Sequence, residues 1–185
     1  NPERDFERRP WWHKKTFEGK PNMPDKNLVK HRAKWSRIFP PEEKKLRHLI
    51  SNYYGMISLI DHNVGRIMTA LNDLGIADDT LVIFTADHGE LLGDHGLLLK
   101  GPFIYESLLR VGCIMKGPNI PKNQVIDDPV STLDIPATLY DYANITNPME
   151  LNGKSLLGLI HDKANRDFAY SEWDLRSSRT GLELD

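Results

Sequence analysis

Apolar residues at Leu46, Leu49, Ile50, Tyr53, Ile57, Ile60, Val64, Ile67, Met68, Leu71 and Leu74 recur in steps of three and four. That period marks a helix with one apolar face, and the face is expected to be buried. Pro41-Glu42-Glu43 opens it, since proline suits a first turn and acids favour the positive end of the helix dipole. Gly75 closes it as a C-terminal stop. Gly55 and Gly65 permit a bend or close packing, and Asp61 and His62 fall beside the stripe. Asp61 reads as a buried hydrogen-bonding residue that fixes the helix packing.

The pattern changes after a short connection at residues 76–79. Thr80-Leu-Val-Ile-Phe-Thr-Ala86 is a continuous apolar, β-branched run of strand length. Unbroken hydrophobicity suits a strand covered on both faces, as in a parallel sheet. Val111-Gly-Cys-Ile-Met115 is a second candidate strand, ended by Gly117-Pro118. N-cap residues around Thr132 to Asp134 precede a helix over Ile135–Ala143 with proline in its first turn. Asn152-Gly153 is a turn, Ser155 to Ile160 a short helix, and Phe168-Ala-Tyr-Ser171 a candidate late strand. Helix, turn and buried strand make half of an α/β repeat, so the fold class is α/β.

Composition narrows the picture. The 185 residues carry 24 Lys+Arg against 26 Asp+Glu, a formal net charge of −2, with 39% hydrophobic residues and one cysteine. That apolar fraction supports a core and excludes wholesale disorder. One cysteine excludes an intrachain disulfide scaffold. No apolar run approaches the roughly 20 residues of a membrane span, so no membrane partner is expected. The balance hides an asymmetry: residues 1–50 are net +7 and residues 51–185 net −9. Residues 1–40 are interrupted by Pro2, Pro10, Pro21, Pro24 and Pro40, with Trp11, Trp12, Phe17, Trp35 and Phe39 among the basic residues. They read as a loop-rich basic segment or insertion draped on a body formed by 41–185. No charged-then-apolar signal-peptide pattern is visible at the start, which reads as though cut from something longer. Whether those basic residues wall an anion-binding cleft or form a packed insertion stays open, and nucleic-acid binding ranks below both.

The chemistry concentrates at the end of the first strand, in Thr85-Ala86-Asp87-His88-Gly89-Glu90-Leu91-Leu92-Gly93-Asp94-His95-Gly96-Leu97-Leu98-Leu99-Lys100-Gly101. Ligands of open α/β sheets bind outside the carboxyl ends of strands. A carboxylate beside an imidazole is ordinary metal-ligand chemistry, and a lysine at the same mouth supplies charge for an anion. An acidic, glycine-rich surface loop with satisfied side chains accounts for the same residues, and the residues alone leave both readings open.

A resemblance separates them. From about Tyr53 to Leu159 the chain resembles the carboxyl-terminal part of a sulfatase, in the superfamily that also holds alkaline phosphatase and phosphonate monoester hydrolases. The matching segments come in family order. They are Asp61-x-x-x-Gly65-Arg66-Ile67, Asp79-Thr80 through Asp87-His88-Gly89-Glu90, and Gly93-Asp94-His95-Gly96 with Lys100. Then follow Tyr105-Glu106-Ser107 with Arg110-Val111, Asp134-Ile135-Pro136-Ala137-Thr138-Leu139, and Asn152-Gly153-Lys154-Ser155-Leu156. The implied fold is alkaline-phosphatase-like, a mostly parallel sheet with flanking helices, present only in part.

The resemblance implies that Asp87 is a metal-binding aspartate and that His88 fills the adjacent ligand position, where many sulfatases carry asparagine. Lys100 matches the lysine that contacts the sulfuryl or phosphoryl oxygens. The implied cofactor is a divalent metal. An all-oxygen set suits calcium, whereas the imidazole of an Asp-His pair favours manganese, zinc or iron. His95 is a candidate substrate contact or a loop residue, Glu90 supports the site rather than binding metal, and Glu106 with Arg110 is expected to form an ion pair. Gly112 stands where many relatives have proline. The sequon Asn144-Ile-Thr146 says little without a secretory context.

The implied activity is metal-dependent hydrolysis of sulfate esters, with phosphonate monoester or phosphodiester hydrolysis as the alternative and a small anionic ester as substrate. A formylglycine nucleophile within Cys/Ser-x-Pro/Ala-x-Arg is expected, and no such segment occurs. Cys113, followed by Ile-Met-Lys-Gly, reads as a small buried strand residue. The further metal-ligating aspartates that the family takes from a strand near its amino terminus are also unmatched. The expectation is therefore a fragment of a larger hydrolase, inactive by itself, against a non-catalytic metal- or anion-binding module. Oligomeric state and localisation stay undetermined.

Overall fold

The computed structural model describes residues 43–101, 103–146 and 150–172. The basic residues 1–40 and the helix-opening Pro41-Glu42 lie outside them. Helix α1 spans Glu43–Asp73, followed by a 3-10 turn at Ala77–Asp79 and strand β1 at Val82–Thr85. A second 3-10 turn at Asp94–Gly96 precedes α2 (Glu106–Leu109) and β2 (Cys113–Lys116). Helices α3 (Asp134–Tyr142) and α4 (Leu157–Ile160) complete the order. The described residues form two compact units, one of 43–70 and 88–111, the other of 71–87 and 112–172.

The periodicity of α1 and its end agree with the sequence. Gly75 adopts φ 68°, and its N–H donates to the Asn72 carbonyl at 2.9 Å. The expected burial does not hold. No residue of α1 is buried, and Ile60 and Ile67 are 51% and 58% exposed. Asp61 is exposed as well, so it is not a buried packing residue. The spacing encodes an apolar face, and among the described residues none of its positions is more than partly covered. One α1 contact is close: the Leu46 side chain packs on Gly93, so tightly that a Cβ there would sit 2.8 Å from Leu46 Cδ1.

In the second unit β1 and β2 pair antiparallel, in register Val82–Lys116, Ile83–Met115, Phe84–Ile114 and Thr85–Cys113. Parallel neighbours for β1 are not present among the described residues, and Phe84 and Ile114 are exposed. Cys113 is exposed too, which corrects the expectation of a buried thiol. Partial shielding still raises its pKa, which makes it a poor thiolate nucleophile. Residues 168–171 form no strand. They follow no partner edge, and Phe168 and Tyr170 are exposed.

The core of this unit is Leu156, Leu159 and Ile160, with Met115, Ile120, Ile126 and Leu157 against it. Beside it lies Asp134, 3% exposed. It accepts from the backbone N–H of Ser131 at 2.7 Å and of Lys154 at 2.8 Å, and from Arg166 Nη1 at 2.5 Å. Three chain segments are thus fastened to one carboxylate. Thr138, wholly buried on the next turn of α3, accepts from Leu156 N–H at 2.9 Å and ties α4 to α3. Gly153 makes this junction possible: a Cβ there would lie 1.8 Å from the Leu133 carbonyl oxygen. Among the described residues no helix is long and apolar enough to cross a membrane.

Candidate active site

Asp87 stands two residues beyond β1 and belongs to the second unit; His88 belongs to the first. Gly89 N–H donates to the Leu108 carbonyl at 2.8 Å, which moors this peptide to α2. The approach leaves no room for a side chain, because a Cβ at Gly89 would lie 1.9 Å from the Ser107 carbonyl oxygen. Backbone cannot yield as a flexible side chain does, so glycine at this position is a steric requirement rather than a loop preference.

The residues after Gly89 form a tight loop returning to Lys100. Leu91 N–H donates to the Leu99 carbonyl at 3.1 Å and Gly93 N–H to the Leu97 carbonyl at 2.7 Å. Leu91 and Leu97, 2% and 1% exposed, make a small core with Leu108, and Phe103 and Tyr105 pack against it. The turn is backbone-strained. Leu92, His95 and Leu99 have φ of 43°, 56° and 62°, beside Gly93 at 100° and Gly96 at 73°. Left-handed backbone costs a residue with a Cβ roughly 1–2 kcal/mol. Glu90 accepts from Leu92 N–H at 3.2 Å, so its carboxylate serves the loop backbone.

This loop brings Lys100 back to His88, with Nζ 2.6 Å from the imidazole Nε2. His88 Nδ1 lies 2.7 Å from the Gly89 carbonyl oxygen, which can only accept. That contact assigns the proton to Nδ1 and leaves Nε2 with a lone pair, the tautomer a metal-ligating histidine needs. The ammonium donates to that lone pair. A cationic partner at Nε2 is therefore the arrangement the site already accommodates. Asp87 contributes an exposed carboxylate one residue away. Among the described residues, no group of three or more His, Cys, Asp and Glu side chains could enclose a metal ion. Asp87 and His88 fit as part of a ligand set and do not make one alone.

His95 is half-buried and does not share the His88–Lys100 contact. Its ring stacks on Tyr105 with centroids 3.9 Å apart and planes 27° apart, and its Nε2 is 3.8 Å from Asp94 Oδ2. Glu106 and Arg110 do pair, at 3.6 Å and almost wholly in solvent, which makes the pair a minor contribution. Tyr105 and Phe103, which shape this loop, and Arg166, in the other unit, were given no role by the sequence reading. Tyr105 and Phe103 carry a local signal, since aromatics flanking a helix start often pack back on the preceding loop. Arg166, which completes the Asp134 cluster, carries none, because its partner lies 32 residues away.

Against known proteins, residues 9–145 match the family model described as Sulfatase. The arylsulfatase of Clostridium perfringens is 36% identical over 139 residues, covering 70% of this chain and 28% of that protein. A multifunctional alkaline phosphatase superfamily protein of Trinickia caryophylli, PehA, is 34% identical, covering 73% of this chain and 27% of its own. Among solved structures, the phosphonate monoester hydrolase of Agrobacterium radiobacter superposes with a TM-score of 0.64. It is 35% identical and covers 70% of this chain and 26% of its own. The chain thus spans about a quarter of the length of the curated relatives it matches. The architecture is the alkaline-phosphatase-like α/β fold over the part that superposes.

Proposed function

Since the chain belongs to the sulfatase family, we propose that its residues serve a metal-dependent hydrolase of sulfate esters. The observation that carries the reading is the 2.6 Å approach of Lys100 Nζ to His88 Nε2 at the end of β1. It joins a fixed cation to an imidazole in the ligating tautomer. Asp87 and His88 are the proposed metal ligands, with the rest of the set supplied from outside the described residues. A bound divalent ion would act as a Lewis acid on the ester's non-bridging oxygens. Manganese, zinc or iron suits the imidazole better than calcium does.

Lys100 holds the substrate anion and offsets charge that develops on its oxygens as the ester bond breaks. His95, with part of its ring edge in solvent, is the proposed second substrate contact. The nucleophile, a formylglycine, is not encoded in these residues, and Cys113 with its raised thiol pKa does not substitute for it. A small sulfate ester is the proposed substrate, recognised as an anion and not through nucleic acid or membrane.

Hydrolysis of phosphonate monoesters or phosphodiesters is the second reading, favoured by histidine at position 88 and by the likeness to the phosphonate monoester hydrolase. Assaying the full-length protein on an aryl sulfate, a phosphonate monoester and a phosphodiester separates them. Preferred turnover of the sulfate is expected, and turnover of the phosphorus esters alone would reverse the order. For the metal, Asp87→Ala and His88→Ala are each expected to lower bound divalent ion by at least half in elemental analysis. Full stoichiometry in both variants would remove these residues from the ligand set.

A further inference from the structure

Lys100 ends a loop that is strained at three non-glycine positions, and such backbone persists only where its surroundings over-determine it. Those surroundings are aromatic. Tyr105, at the N-terminus of α2, stacks its ring on His95 at 3.9 Å. Its other neighbour is Phe103, with ring centroids 5.8 Å apart and planes tilted by 40°. Phe103 in turn lies against Gly101, where a Cβ would come within 2.5 Å of Cε2. The three rings therefore grip the loop at two places, His95 in its middle and Gly101 directly after Lys100. Both Phe103 and Tyr105 are seated on the Leu91–Leu97–Leu108 core, and the Tyr105 carbonyl accepts from Leu108 and Leu109 N–H at 2.9 and 3.0 Å. The anchor is fixed at its base while the loop is held at its tip.

We infer that Tyr105 is a positioning residue for Lys100, acting through a His95–Tyr105–Phe103 aromatic clamp that holds the strained loop closed. This rests on the role of Lys100 as the anion-binding cation proposed above. His95 is the clamp's one proposed substrate contact; Tyr105 and Phe103 act on the ester only through the clamp. Its effect runs through the place of one ammonium group, and a displacement of about 1 Å at a catalytic group costs on the order of 100-fold in rate. The phenol hydroxyl has no part in the stack. What the stack itself requires is the ring.

The test uses the full-length protein, with Tyr105→Leu, Tyr105→Phe, Lys100→Ala and the Tyr105→Leu/Lys100→Ala double variant. Leucine keeps apolar contact with Leu91, Leu97 and Leu108 while removing the stack. On an aryl sulfate, Tyr105→Leu is expected to lower kcat ~10- to 100-fold with KM within about threefold, and Tyr105→Phe to restore wild-type kcat. The double variant is expected to be no slower than Lys100→Ala, because both changes disable one device. An unchanged kcat in Tyr105→Leu, or a loss that multiplies in full onto that of Lys100→Ala, overturns the clamp.

Amide hydrogen exchange over residues 91–101 gives a readout independent of substrate. Faster exchange in Tyr105→Leu, reversed in Tyr105→Phe, supports the clamp even if aryl sulfate proves not to be the substrate; unchanged exchange overturns it. If Tyr105→Leu does not fold, Phe103→Leu loosens the Gly101 end and is read by the same exchange criterion.

Discussion

Lys100→Ala in the full-length protein is expected to lower kcat on an aryl sulfate by ~100- to 1000-fold, corresponding to about 2.7–4 kcal/mol of transition-state stabilisation. The size follows from where the ammonium stands. It is delivered to His88 Nε2 at 2.6 Å by a loop whose backbone bonds return Leu97 and Leu99 to Gly93 and Leu91. A metal ligated at Nε2 displaces the ammonium from that lone pair, while the loop keeps it beside the place where charge develops. Metal content is expected to survive the substitution, since removal of a competing cation at Nε2 does not remove a ligand. A rate within twofold of wild type would reduce Lys100 to a structural partner of His88. Loss of metal together with rate would instead assign it to holding the ligand set.

The second large effect is on stability. Asp134→Ala is expected to destabilise the folded protein by ~3–5 kcal/mol, the usual loss when one member of a buried ion pair is removed. Two backbone N–H groups, of Ser131 and Lys154, lose their acceptor, and Arg166, largely buried, loses its counter-ion. Urea unfolding monitored by circular dichroism measures it, and a change under 1 kcal/mol would show that water replaces the carboxylate without loss.

The same residue sets an acid limit. Burial by itself would raise the Asp134 carboxyl. The bonds from the Lys154 and Ser131 backbone and from Arg166 outweigh that and hold it below its usual value. A folded pKa below the unfolded one, about 3.9, contributes stability that is complete above the unfolded value. That contribution is lost as pH falls through the folded value. The wild type should therefore lose stability more steeply than Asp134→Ala in that acid range, and parallel curves would exclude the linkage.

What was legible in the sequence is what short-range physics encodes. Leu46 to Leu74 gave the helix its period, and Gly75 its end, because both depend on residues within one or two turns. The Glu106–Arg110 pair was legible for the same reason, being four apart on a helix. Asp87, His88 and Lys100, with the roles proposed for them, were picked out by motif. The 2.6 Å meeting of Lys100 with His88 was not, since it depends on a loop returning through left-handed leucines. Leu92 and Leu99 are poor candidates for positive φ by side-chain chemistry, so no local rule predicts them.

The Asp134 cluster was missed for a different reason. Its carboxylate reads locally as a helix-start residue, and it does accept from Ser131, yet two of its three partners lie 20 and 32 residues away. Cys113 and Asp61 were assigned to an interior because apolar neighbours usually imply one. Burial belongs to whatever covers a face, and a face's composition cannot supply the cover.

The three left-handed residues of the Lys100 loop bear on how this protein can be improved. A search for heat-resistant variants would be drawn to Leu92 and Leu99, where glycine relieves folded-state strain, though it also frees the unfolded chain. Relief of that strain would widen the range of loop shapes, and with it the positions open to the ammonium. Selection for melting temperature alone would then accumulate sturdy, sluggish descendants. A campaign that screens turnover alongside heat tolerance would leave these two leucines as they are.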